Sequence, residues 1–219
     1  MLHKLSTMAQ EEGKFVTERE IMVSSQIEGA GIKDKRLLEA MRKVKRHLFV
    51  PLEYRRMAYG DYPVPIGHGQ TISQPYIVAL MTELLALKGS ERVLEIGLCS
   101  GYQTAILAEL AKEVYSIEIL EPLAAASQKL LKESGYQNVY IKTADGFSGW
   151  IEQAPFDAII VTCAPEDIPE PLIGQLAQGG RLVIPIGAFL QELKLVEKIS
   201  DKISIRSIVS VRFVPMIRG

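Results

Sequence analysis

Acidic, glycine and small hydroxyl residues concentrate in two stretches, and each suits a different kind of ligand. The first is Arg92–Gly101, RVLEIGLCSG. Val93, Leu94 and Ile96 form a short apolar run with one acid inside it, Glu95, and Gly97 and Gly101 follow. Tyr102–Lys112 then reads as a helix. Strand, glycine turn and helix is how an α/β sheet cradles a nucleotide-like ligand. Glycines let backbone approach, and the helix N-terminus offers free N–H groups. Glu113–Glu118 reads as the next strand and ends in an acid, which can take both hydroxyls of a ribose. Asp145-Gly146 follows a third strand over Gln137–Lys142.

The second stretch is Pro65-Ile66-Gly67-His68-Gly69-Gln70-Thr71-Ile72-Ser73-Gln74-Pro75. Tyr76–Leu87 after it has helical periodicity, with Pro75 at the first helical position, where its missing N–H costs nothing. The N–H groups of Tyr76 and Ile77 are then orphans, and Ser73 sits just outside. Orphan donors and the helix dipole favour an anion there, for example a carboxylate. The plainer alternative is that Ser73 or Gln74 caps the helix. His68 reads either as a base or as a hydrogen-bonding loop residue.

The elements that position these groups alternate. Strands at Pro155–Thr162 and Gly180–Ile186 flank a short helix at Ile168–Ala177, and Leu123–Glu133 is helical. Alternation of this kind gives a parallel, doubly wound α/β sheet. Glu192–Ile199 and Ile203–Val214 are separated only by Ser200-Asp201-Lys202, so they pair as an antiparallel hairpin. Upstream, Met1–Lys14 is polar and reads as a frayed end. Thr17-Glu18-Arg19-Glu20 fits a capping box opening a helix that stops before Gly29. Asp34 caps a second helix with Leu37, Leu38, Met41 and Val44 as its apolar stripe.

At 219 residues a single domain is expected over 1–219. Residues 1–75 form an N-terminal helical and substrate-loop elaboration, and 76–219 the α/β core. The chain is 47% hydrophobic with a net charge of -1, so no excess of either sign argues for a nucleic-acid or membrane partner. No membrane-length apolar run and no signal-peptide core is present. Cys99 and Cys163 show no metal spacing, and a reducing cytoplasm suits them. A monomer is expected, since no long exposed apolar face is evident.

Two nucleotide-like ligands compete. A dinucleotide site wants G-x-G-x-x-G, whereas Gly97 and Gly101 are spaced G-x-x-x-G. An acid inside the first core strand and a terminal antiparallel hairpin resemble the class I S-adenosylmethionine-dependent methyltransferases, which are Rossmann-like with a mostly parallel seven-stranded sheet. The sulfonium and ammonium of that cofactor tolerate a nearby acid better than a pyrophosphate does. The Pro65–Pro75 loop closely resembles that of the protein-L-isoaspartate O-methyltransferases. Phe49-Val50-Pro51, Pro155–Thr162 and Arg212-Phe213-Val214-Pro215 resemble the same family, in the same order.

The resemblance implies Ser73 as the active-site residue, with Gln70, Thr71 and Ile72 beside it on the substrate side. It implies S-adenosylmethionine held by Gly97, Gly101, Glu118, Asp145 and Gly146, with Glu95, Cys99, Ile119 and Thr162 completing the cofactor side. The implied reaction is methyl transfer to the free carboxylate of an L-isoaspartyl residue in a damaged protein or peptide. The ester closes to a succinimide, which reopens partly to normal aspartate. A methyltransferase of different substrate, or a member that binds cofactor or altered peptides with little turnover, are the other readings. The family's turn reads Gly-Thr-Gly-Ser-Gly, so Cys99 stands where glycine is usual. If that position needs positive φ, cysteine costs roughly 1–2 kcal/mol. Cys99 and Cys163 end neighbouring strands, so both thiols are expected to line the cofactor pocket, either as reactive groups or as inert small wall residues.

Overall fold

Phe156–Val161 carries four fully or almost fully buried apolar residues in its last four positions, and such a run is stable only where both faces are covered. The computed structural model places it centrally. It describes residues 2–200 and 202–219, with side-chain surroundings from residue 11 onward; Met1 and Asp201 lie outside the described residues.

The chain opens with α1 (Leu2–Ile21), a π-helical continuation over Met22–Glu28, and α2 (Lys35–Lys43). Short 3-10 turns at Arg46–Phe49 and Leu52–Met57 lead to a small antiparallel pair, β1 (Val64–Gly67) and β2 (Gln70–Ile72), and then to α3 (Pro75–Leu85). The core follows as β3 (Arg92–Ile96), α4 (Tyr102–Leu110), β4 (Glu113–Glu118), α5 (Glu121–Glu133), β5 (Val139–Thr143), β6 (Phe156–Val161), α6 (Glu170–Gln175), β7 (Leu176–Ile186), β8 (Gln191–Ile199) and β9 (Lys202–Val211).

The seven-stranded sheet has the order β5-β4-β3-β6-β7-β8-β9. The first five strands are parallel, and β8 and β9 are antiparallel additions. The chain runs outward from β3 on one side and returns to β6 on the other, so the topological switch lies between β3 and β6. Side-chain alternation assigns the faces. Val93, Ala158 and Ile160 pack with α2, α3, α4 and α5, whereas Leu94, Ile159 and Val161 pack with α6 and the region of Trp150.

Two expectations are corrected. The first helix begins at Leu2, not near Glu18. Its frame of reference is tertiary: Phe15 stacks on buried His47 at 4.1 Å, and Glu12 meets Lys45 at 2.6 Å. Thr17 lies inside that helix and donates back to the Gly13 carbonyl (3.3 Å), so the capping-box pattern opens nothing. The Pro65–Pro75 segment is a hairpin rather than an open loop, because His68 (φ 52°) and Gly69 (φ 70°) supply the two left-handed residues that a tight hairpin turn needs. Asp34 caps α2 as expected, accepting from the Arg36 and Leu37 N–H groups at 2.9 and 3.2 Å.

Candidate active site

The glycine turn leaves the sheet at its carboxyl edge. Gly97 has φ 96°, and a Cβ there would overlap the Thr162 hydroxyl. Thr162 ties the two switch-point strands together: its N–H donates to the Ile96 carbonyl (2.9 Å) and its hydroxyl to the Gly97 carbonyl (2.7 Å). Cys99 adopts φ 47°, so the strain anticipated for a side chain at this position is present, worth roughly 1–2 kcal/mol. Two bonds hold it there. The Cys99 N–H donates to Glu118 Oε2 (2.8 Å), and Ser127 of α5 donates to the Cys99 carbonyl (2.6 Å). Gly101 (φ 81°) starts α4, and a Cβ there would press on Ser127 and Leu131 at 3.3 Å.

The two acids have different stations. Glu118 is nearly buried, and its second oxygen accepts the Leu120 N–H at 2.9 Å. Each carboxylate oxygen keeps further acceptor capacity toward the cavity that Glu118 lines. Glu95 lies beneath the turn and lines none of the cavities described below. Its Oε2 accepts from Thr104 and Ser116, both at 2.6 Å, while Oε1 has no partner among the described residues. Burial pushes its carboxyl up to about 8.

The unfolded chain releases that proton near 4.5, so between there and about 8 the folded state holds more protons. The contribution of Glu95 to stability is therefore full in acid and is lost as pH rises through the folded value. Glu95→Gln keeps an oxygen for both hydroxyls and removes the titration. Its melting temperature should vary less between about pH 6 and pH 9 than that of the unaltered chain. Equal slopes for the two proteins would assign the pH dependence elsewhere.

Three cavities adjoin along the carboxyl edge. The first is lined by Glu118, Ile119, Gly146 and Gln70, with Cys163 and Cys99 in its wall. No Lys or Arg lines it among the described residues. The second shares Gly97 and Cys99 with the first and adds Thr71, Ile72, Ser73 and Thr162. The third is a groove of about 840 Å³ that shares Thr71, Ser73 and Thr162 with the second and is bounded opposite by Val209–Val214. Ser73 thus stands at the junction of a narrow slot and a wide groove. Its hydroxyl has no protein hydrogen-bond partner among the described residues, and its carbonyl accepts from buried Arg46.

Most of the anticipated site residues therefore converge. Gln70 lines the Glu118 cavity rather than the groove, because the hairpin turns it away from Ser73. Asp145 accepts the Phe147 N–H (2.9 Å) and caps a 3-10 turn, which sets Gly146 at the wall. His68 is exposed at the hairpin tip, lines none of the three cavities, and makes no hydrogen bond among the described residues, so neither role anticipated for it is seen. The orphan donors of α3 are occupied. Asp61 accepts the Tyr76 N–H at 3.0 Å, and the Ile77 N–H turns back to the Gln74 carbonyl. A remote carboxylate of the chain itself caps this helix, and neither Ser73 nor Gln74 does. Met216 and Ile217 also line the Glu118 cavity, and no local pattern marked them.

Both thiols lie against that cavity. Burial pushes Cys163 up to about 12, and burial with the adjacent Glu118 charge raises Cys99 as well. Both are protonated at neutral pH.

Residues 17–219 match the model of the protein-L-isoaspartate(D-aspartate) O-methyltransferase family. The chain is 57% identical over 203 residues to a protein-L-isoaspartate O-methyltransferase of Opitutus terrae, covering 92% of this chain and 87% of that one. Among solved structures, it is similar to a Plasmodium falciparum protein-L-isoaspartate O-methyltransferase in complex with S-adenosyl-L-homocysteine. There the TM-score is 0.80 and the identity 25%, over 92% of this chain and 99% of the other. A further protein-L-isoaspartate O-methyltransferase structure matches with TM-score 0.80 and 27% identity over 90% of this chain, which spans 65% of that chain's length. With a family match over most of its length and a relative above half identity, this chain belongs to the protein-L-isoaspartate(D-aspartate) O-methyltransferases.

Proposed function

We infer that the chain transfers a methyl group from S-adenosylmethionine to the free carboxylate of L-isoaspartyl residues in damaged proteins and peptides. The observation that carries this reading is the placement of Ser73, with a free hydroxyl, where the narrow slot meets a groove wide enough for a peptide segment.

The residues present fit the cofactor. An acid lines the first cavity and no Lys or Arg does among the described residues, which favours a cationic ligand over a pyrophosphate; Glu95 beneath the turn is held neutral by burial and adds no charge. Gly97 leaves backbone bare where a Cβ would collide. Glu118 has acceptor capacity for a ribose, Ile119 and Gly146 are wall residues, and Thr162 keeps the turn closed against β6. Glu95 supports the turn from behind. When bound, S-adenosylmethionine supplies an electrophilic methyl group.

An isoaspartyl carboxylate has a reference pKa of about 4 and is ionised at pH 7, so no base is required. Orientation is the remaining task, and well-placed groups supply roughly 7–11 kcal/mol of a barrier. In this reading Ser73 donates one hydrogen bond that aims the carboxylate, Thr71 and Ile72 border it, and Gln70 faces the cofactor side. The ester product closes to a succinimide without further help.

The test is methylation of a peptide pair that differs only in an isoaspartyl or aspartyl link. Incorporation confined to the isoaspartyl peptide is expected. Equal incorporation would reassign the acceptor, and cofactor uptake without incorporation would leave a binding protein. The net charge of -1 gives no support to a nucleic-acid or membrane partner, and two cysteines without metal spacing suit a reducing cytoplasm; no described helix is long and apolar enough to cross a membrane.

Cys99 and Cys163 belong to the cofactor wall in this reading. As protonated thiols they should react slowly with maleimide at neutral pH and faster in mild alkali. Inactivation should follow, and S-adenosylhomocysteine should slow it. The pair Cys99→Gly with Cys163→Ala should be resistant. Modification at the same rate with and without S-adenosylhomocysteine would place the thiols outside the cofactor's footprint.

A further inference from the structure

Ser73 belongs to no large sheet. It follows β2, half of a two-stranded pair, and such a pair is marginal by itself. Something else must fix it. Arg46 is fully buried, yet it makes no ion pair among the described residues. A buried guanidinium without a carboxylate is costly, and a leucine or methionine would fill the space more cheaply. Two of its nitrogens donate to backbone, and Nη1 has no partner among the described residues. Nε donates to the Ala58 carbonyl (2.6 Å) and Nη2 to the Ser73 carbonyl (2.8 Å). Its plane lies 4.9 Å from the ring of Tyr102, which starts α4 beside the glycine turn. Asp61 grips the following residues. It takes the Tyr76 N–H at 3.0 Å and the Gln74 side-chain amide at 3.3 Å.

We propose that Arg46 and Asp61 are positioning residues that clamp the chain immediately after the Ser73 side chain, at the Ser73 carbonyl and at the start of α3, and so set the direction of its hydroxyl. The fork of Arg46 spans two carbonyls that a single ammonium could not hold together. The carboxylate of Asp61 anchors the start of α3, so Gln74-Pro75, the link between Ser73 and the helix, is fixed at both ends. The clamp rests on the reading that Ser73 meets the substrate carboxylate.

The test is a set of variants in two backgrounds, assayed for turnover of an isoaspartyl peptide, with S-adenosylhomocysteine affinity by calorimetry and melting temperature alongside. Asp61 is exposed, so Asp61→Ala folds and carries the test even if Arg46→Met does not. Asp61→Ala should lower kcat about tenfold or more, the scale of a misplaced reacting group, with S-adenosylhomocysteine affinity unchanged. Asp61→Asn keeps an oxygen for the Tyr76 N–H and should recover most of the loss. Arg46→Lys should recover little of what Arg46→Met loses. In a Ser73→Ala background, Asp61→Ala should have almost no further effect, because the hydroxyl it aims is gone.

An equal loss in both backgrounds, a parallel loss of S-adenosylhomocysteine affinity, or no loss in the unaltered background overturns the clamp. Failure of the underlying reading looks different. The unaltered chain would then leave the isoaspartyl peptide unmethylated, or Ser73→Ala alone would match it, and either result removes the clamp's purpose as well.

Discussion

Ser73→Ala should lower kcat for an isoaspartyl peptide by on the order of a hundredfold while leaving S-adenosylhomocysteine binding intact. The size follows from what one orienting group is worth when the reacting carboxylate needs no activation: about an ångström of misplacement costs about a hundredfold. The separation of effects follows from position. Ser73 lines the slot and the groove and is absent from the wall of the Glu118 cavity. Ser73→Thr keeps a hydroxyl and should retain more activity than Ser73→Ala. A trapped acyl–Ser73 species would contradict the orienting role outright, since an orienting donor forms no covalent bond.

Glu118→Ala should act on the other side of the reaction. Its two oxygens accept the N–H groups of Cys99 and Leu120, and Cys99 is held in a left-handed conformation that it does not favour. Hydrogen bonds to a charged partner are worth about 1.5–3 kcal/mol each. Losing the anchor frees the turn and removes the acid proposed to hold the ribose. S-adenosylhomocysteine affinity should fall by about 3 kcal/mol, on the order of a hundredfold. Glu118→Gln keeps one acceptor and should lose less. Calorimetry decides it: an unchanged dissociation constant in Glu118→Ala would move the cofactor away from this cavity.

Much of this arrangement is legible in the residues alone, and the boundary is physical. Glycine spacing, a terminal acid on a strand and a proline at a helix start are local, because they report φ, capping and pleat at one place. They locate Gly97, Glu118 and Pro75 without knowledge of neighbours. The strain at Cys99 follows from the same local logic. What escapes is closure over distance. The cap of α3 comes from Asp61, 15 residues upstream, and the carbonyl of Ser73 is taken by Arg46, 27 residues away. A capping motif read within a few residues finds Thr17, which is helix interior, and misses Asp61, which is not adjacent to anything it caps. The start of α1 fails for the same reason, since Phe15 and Glu12 make their case only against His47 and Lys45. The order of β8 and β9 depends on register across the sheet, for which hairpin length alone allows either strand to lie outermost.

The carboxylate of Asp61 has a chemical corollary. A helix end is a strong trap for anions, and an acid caught there is quenched: its lone pairs are spent on amide donors and attack nothing. By seating its own acid on α3, the protein denies that trap to the incoming one. With Ser73 in its proposed role, the visiting oxygen meets a single neutral hydroxyl in place of a positive pole, and so keeps the electron density with which it must strike.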